Sequence, residues 1–197
     1  MSPRPERPGS PRARLFVALD PPDDVRDELA RWRDDAISGR DDLRPVAPEA
    51  LHATLVFLGY RPEKEIDRIG ELIGQAVGGH AAPLLAARAV KPLPPRRPRL
   101  FALDLDDAGG EAVALQASLS DALEAERIYK PEKRPFWPHI TLARVKRNAI
   151  AAPWDGPPPP GADWRAAAVT LYRSTLRPQG ALYEPLSRNF LLTTRLR

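Results

Sequence analysis

The sequence predicts an α+β fold with two pseudo-symmetric lobes, each a mainly antiparallel sheet with flanking helices, facing each other across a central cleft. Three observations predict it. A His-x-Thr stretch occurs twice, as His52-Ala53-Thr54 and His139-Ile140-Thr141, each set in apolar, β-prone sequence. An apolar run ending in an acid, Leu15-Phe16-Val17-Ala18-Leu19-Asp20, is echoed by Leu100-Phe101-Ala102-Leu103-Asp104. The order strand, helix, His-x-Thr strand therefore appears twice at nearly equal spacing, which points to an internal duplication.

Taken in order, residues 1–13 are rich in Pro, Arg, Ser and Gly and are expected to form a disordered tail. Residues 14–197 are expected to form a single bilobal domain. Leu15 to Leu19 reads as a buried strand. Asp20-Pro21-Pro22-Asp23 carries helix-start signals, and Val25, Leu29, Trp32 and Ile37 follow at roughly helical spacing until Gly39. Leu43 to Ala47 reads as a short strand that Pro45 confines to an edge. The first motif strand spans about Leu51 to Leu58. A second helix is expected over Glu63 to Val77, with Ile66, Ile69, Leu72, Ile73 and Val77 on one side and Gly78-Gly79 as its stop. His80 lies in that loop without a Thr partner and is taken as solvated or capping.

Leu84 to Val90 reads as a strand and Lys91 to Arg99 as a proline-stiffened basic loop. After the echoed strand, a helix is expected from about Gly110 to Arg127 with Val113, Leu115, Leu119 and Leu123 apolar. A basic loop, Tyr129 to Pro135, leads into the second motif strand. Ala152 to Gly161 is proline-dense loop. Arg165 to Leu176 and Ala181 to Leu186 read as a hairpin around Arg177-Pro178-Gln179-Gly180, and Phe190 to Thr194 as a last strand.

Composition narrows the function classes. The 197 residues contain no cysteine, which excludes a disulfide framework and a thiolate metal site. No apolar run approaches a membrane span, and the N-terminus lacks the apolar core of a signal peptide. The chain is read as cytoplasmic and monomeric. Its net charge of +4, with arginine far outnumbering lysine, permits an RNA partner without requiring one.

The chemistry is read from the paired motifs. In a strand, residues two apart share a face, so each His projects with its Thr. The chain has three histidines, and two of them carry a Thr at this spacing. Two imidazoles provide general acid and base near neutral pH. Two hydroxyls suit the non-bridging oxygens of a phosphate. Cleaving a phosphodiester in line needs a base for the attacking group and an acid for the departing oxygen, on opposite sides of phosphorus. No metal or other cofactor is required. Residue chemistry alone leaves open which histidine is acid and which is base.

Beyond the two motifs, Arg14 to Leu19, the run Pro48 to Gly59, the run Phe136 to Arg144, and Leu171-Tyr172-Arg173-Ser174 through Gly180-Ala181-Leu182-Tyr183 resemble the two-histidine phosphoesterases. Within that superfamily the chain is most similar to the RNA 2′,3′-cyclic phosphodiesterases, also called 2′-5′ RNA ligases. Pro45 and Ala50 depart from the residues that many relatives carry there. The resemblance implies that His52 is the proton donor and His139 the proton acceptor, that Thr54 and Thr141 bind the phosphate, and that the product carries a 2′-phosphate. Arg144 matches a basic position of the family's second motif. On a regular strand it would lie on the face opposite His139, so reaching phosphate would need a bend. Phe136 is a candidate for stacking on a base, with core packing as the competing role. Tyr172 and Tyr183 are read as core or hairpin residues.

The expected partner is RNA or a nucleotide bearing a 2′,3′-cyclic phosphate. The alternatives are 2′-5′ ligation in the same site and a nucleotide- or RNA-binding module without turnover. A metal hydrolase is the weakest reading, because two histidines without adjacent acids make a poor ligand set.

Overall fold

The computed structural model describes residues 11–177 and 180–192. Its strands form one nine-stranded antiparallel sheet. In chain order they are β1 (Arg12–Asp20), β2 (Leu43–Pro45), β3 (Ala53–Pro62), β4 (Leu84–Leu93), β5 (Leu100–Asp106), β6 (His139–Val145), β7 (Trp164–Arg165), β8 (Ala168–Arg177) and β9 (Gly180–Phe190). The lateral order is β7-β4-β5-β6-β3-β1-β8-β9, with β2 on β6. The helices are α1 (Asp23–Ala36), α2 (Ile66–Val77) and α3 (Glu111–Ala125). No helix among the described residues is long and apolar enough to cross a membrane.

The sheet consists of two halves. β7-β4-β5-β6 and β3-β1-β8-β9 each contain one motif strand, and the halves meet where β3 pairs with β6. That junction is a single residue pair, Ala53 with Ile140. The two predicted lobes are thus halves of one continuous sheet.

Helix formation follows the local chemistry. α1 begins after Pro21-Pro22 with Asp23 and Asp24 in its first turn, where acids favour the positive helix end. It buries Leu29, Ala30 and Arg33. The Arg33 Nη1 donates to the Val46 carbonyl at 2.7 Å, tying α1 to the segment that enters the first motif. The expected helix from Glu63 divides into a 3-10 turn, Glu63–Glu65, and α2, which buries Ile69, Leu72, Ile73 and Val77. α3 starts after Gly110, whose φ of +68° suits glycine. The Asp107 carboxylate accepts from the free N–H groups of Ala112 and Val113 at 3.1 and 2.9 Å. Its buried face is Ala112, Leu115, Leu119 and Leu123. Val113, expected on that face, is exposed because Ala112 holds the inward position.

Other differences concern strand limits. β1 begins at Arg12, so Arg12 and the buried Ala13 belong to the sheet and not to the expected tail; residues 1–10 lie outside the described ones. β4 runs on to Leu93, three residues further than expected. β9 is one strand through Phe190, because every residue from Ala168 to Arg177 on β8 offers it a partner. The separate last strand expected from Phe190 to Thr194 is not found among the described residues: Phe190 ends β9, Leu192 makes only an isolated bridge to Ala81, and residues 193–197 lie outside the described ones. The hairpin turn at residues 178–179 also lies outside them.

Candidate active site

The Ala53–Ile140 pair builds the site. Both side chains are buried, at 1% and 0% exposure, so both face the core. The residues flanking them must face the other way. Antiparallel register then sets His52 opposite Thr141 and Thr54 opposite His139. The four expected groups alternate around a rectangle, with the histidines on one diagonal and the threonines on the other.

Each motif strand is bulged at the same place. On β3, Thr54 pairs with Ala18 while Val56 pairs with Val17, which leaves Leu55 as an extra residue. On β6, Thr141 pairs with Ala102 while Ala143 pairs with Phe101, which leaves Leu142 as an extra residue. A bulge of this kind inverts the alternation beyond it. Arg144 consequently shares the face of His139 and Thr141, and the bend that the regular-strand reading demanded is present. The corresponding position in the first copy is Phe57.

Each histidine also lies against aromatic rings. His52 is 8% exposed. It stacks on Phe16 at 5.1 Å and Tyr172 at 5.5 Å, with Tyr183 edge-on at 5.4 Å. Its Nδ1 is buried and has no hydrogen-bond partner among the described residues. Burial disfavours the imidazolium and pushes the His52 pKa down to about 4. His139 is half-buried and stacks on Trp137 at 4.3 Å. Its Nδ1 lies 2.8 Å from the Trp137 carbonyl, which can only accept. In the neutral ring Nδ1 therefore carries the proton and Nε2 keeps its lone pair.

The aromatic partners are held in parallel ways. The Tyr172 hydroxyl donates to the Asp20 carboxylate at 3.1 Å, and the Trp137 Nε1 donates to Asp104. Each acid also faces a cation, Arg188 at 3.7 Å from Asp20 and Lys91 at 2.6 Å from Asp104. Burial raises the Asp20 pKa, and burial together with Asp20 raises that of Tyr172. Tyr172 and Tyr183 are hairpin residues as expected, but they also wall the His52 ring. Phe16, Asp20, Asp104 and Trp137 were not anticipated as site residues. The signal for the acids was available: they end the two copies of the repeated opening strand.

Two cavities adjoin the rectangle. One, of about 520 Å³, is lined by Thr54, His139, Trp137, Phe136, Phe57 and Arg134 among others. Phe136 lines this cleft and also packs against the main core. The second, of about 260 Å³, is lined by Arg144 and by Tyr183, which stands edge-on to His52, and by none of the four motif side chains. His80 lies in the loop after α2, and it lines neither cavity. Among the described residues no three His, Asp or Glu side chains gather to hold a metal ion.

Comparisons with known proteins point to one family. The family model described as the 2′-5′ RNA ligase superfamily matches residues 21–176. An RNA 2′,3′-cyclic phosphodiesterase of Thermus thermophilus is 34% identical over 180 residues, covering 89% of this chain and 88% of the relative. One of Escherichia coli is 32% identical over 193 residues, covering 89% and 94%. A crystal structure from Thermus thermophilus superposes with a TM-score of 0.74 at 32% identity, covering 90% of this chain and 97% of its own. Escherichia coli LigT complexed with 3′-AMP gives 0.72 at 28% identity, covering 92% and 99%.

Proposed function

Because this chain belongs to the 2′-5′ RNA ligase superfamily, among its cyclic phosphodiesterases, we propose that it hydrolyses RNA 2′,3′-cyclic phosphate ends to 2′-phosphate ends by metal-independent histidine acid–base catalysis. The observation that carries this reading is the register through Ala53 and Ile140, which sets one His–Thr pair against the other. A phosphate centred between them meets a histidine on each of two opposite sides and a threonine hydroxyl on each of the others.

His139 is the base. The Trp137 carbonyl fixes its proton on Nδ1, and Nε2 takes the proton of the attacking water. His52 is the acid. The P–O3′ bond breaks as the water oxygen bonds to phosphorus, and the departing O3′ receives the His52 proton. In the free protein burial holds His52 neutral near pH 7. The anionic phosphodiester favours its charged form on entering the site, so proton uptake accompanies substrate binding. Thr54 and Thr141 donate to the non-bridging oxygens, where charge accumulates in the transition state. Arg144, turned to the same face by the Leu142 bulge, approaches the phosphate from the His52–Thr141 side. Phe136, in the larger cleft on the His139 side, offers a ring to a base of the incoming 5′-hydroxyl strand when the same groups run in the ligation direction.

The nucleotide complexes of Escherichia coli LigT, with 3′-AMP, ATP and NADP+, support a nucleotide ligand. The same groups run in reverse would join a 2′,3′-cyclic phosphate to a 5′-hydroxyl, the reaction for which the superfamily is named.

The test is incubation of a short RNA ending in a 2′,3′-cyclic phosphate with the protein in EDTA. Conversion to a 2′-phosphate end is expected. Binding without conversion would replace the enzyme by a binding module.

A further inference from the structure

The second cavity has a cationic lining that is separate from the four motif side chains. Its cationic lining is Arg44, Arg144 and Arg177, and no carboxylate lines it. Several arginines elsewhere pair with acids, as in Arg40 with Asp42, Arg61 with Glu65, Arg68 with Glu126 and Arg173 with Glu63. Among the described residues Arg144 and Arg177 have no such partner. Arg44 and Arg144 are direct cross-strand partners of β2 and β6, so their side chains rise side by side on one face. Guanidinium is the group best matched to a phosphate there.

The position of the cavity selects which phosphate. It shares Tyr183 with the wall of His52, and Arg144 extends the Thr141 face into it. Resting on the phosphodiesterase reading above, His52 protonates the ribose oxygen, so the rest of the terminal nucleotide lies on the His52 side. The larger cleft, lined by Thr54 and His139, is then the side of the attacking water. The duplication sharpens the contrast. The bulge that presents Arg144 to the small cavity presents Phe57 to the large one.

We propose that Arg44 and Arg177, with Arg144 shared between them and the scissile phosphate, form a second phosphate site that holds the 5′-phosphate of the terminal nucleotide. The chain thereby favours RNA ends over cyclic nucleosides that lack this phosphate.

The probes are adenosine 2′,3′-cyclic phosphate with and without a 5′-phosphate, which differ by that group alone. The wild type should hydrolyse the 5′-phosphorylated compound with a kcat/KM about tenfold higher or more, the factor expected from charged hydrogen bonds. Arg177→Ala and Arg44→Ala should each reduce this preference, and the double variant should abolish it. Arg31→Ala, on the exposed side of α1, should retain it and so controls for net charge. An equal rate on both compounds, or a preference that survives the double variant, overturns the second site. If neither compound is hydrolysed, the phosphodiesterase reading fails. Equilibrium binding of 5′-AMP against adenosine then decides the site: tighter 5′-AMP binding that depends on Arg177 supports it, and equal binding overturns it.

Discussion

Ala53 pairs with Ile140, and this one contact joins the two halves of the sheet at the middle residues of the two His-x-Thr motifs. Neither side chain enters the site, yet their pairing sets the position of all four groups that do. A slip of one residue in either motif strand would turn that strand's histidine and threonine toward the core. The buried alanine and isoleucine therefore fix the register that brings together His52 and His139, the proposed acid and base.

His52 gives that arrangement a measurable signature. Its pKa is pushed down from 6.5 to about 4 in the folded chain by burial. Between those values the unfolded chain binds a proton that the folded chain refuses, so stability falls as pH drops through this window. The expected loss is about 3 kcal/mol, seen in denaturant titrations across the range. His52→Gln should lack this part of the slope. NMR of the free protein should place the His52 midpoint near the lower value, and a bound nucleoside 2′-phosphate should raise it. Identical slopes in the two proteins would contradict the buried, neutral state.

The threonines carry a different prediction. Thr54→Val and Thr141→Val keep shape and volume while removing the hydroxyl. Each should lower kcat by about 10²-fold, the effect of deleting one donor to a developing oxyanion. The thermal midpoint should stay close to that of the wild type. Unchanged kcat in both variants would remove them from the site.

The clamp on His139 predicts a smaller effect. Trp137→Phe retains a ring against the imidazole but loses the Nε1–H donated to Asp104. It should reduce kcat by about tenfold with little change in KM, as expected for one hydrogen bond to a charged group. Asp104→Asn in the Trp137→Phe background should add little. Fully additive losses would mean that Asp104 acts elsewhere, through Lys91.

Much of this was legible in the sequence. The repeated order of strand, helix and His-x-Thr strand was visible because a duplication preserves local pattern, and alternation placed each Thr beside its His. The bulges at Leu55 and Leu142 were not visible. They exist only in the register against β1 and β5, and strand sequence alone does not report its partner. That is why Arg144 was assigned to the wrong face of an ideal strand. The box around His52 was hidden for a similar reason. Phe16, Tyr172 and Tyr183 come from three strands and meet only once β1, β8 and β9 are side by side. Asp20 and Asp104 could have been found, since each ends a copy of the repeated run.

The central claim is that His52 and His139 work as one acid–base unit on a single phosphate. Its most direct test is the kcat/KM of His52→Ala, His139→Ala and the double variant on an RNA ending in a 2′,3′-cyclic phosphate. Each single change should cost about 10²- to 10⁴-fold, and the double variant should fall little further, because groups that act together are not additive. Near-wild-type turnover in either single variant, or losses that multiply fully in the double variant, would contradict it.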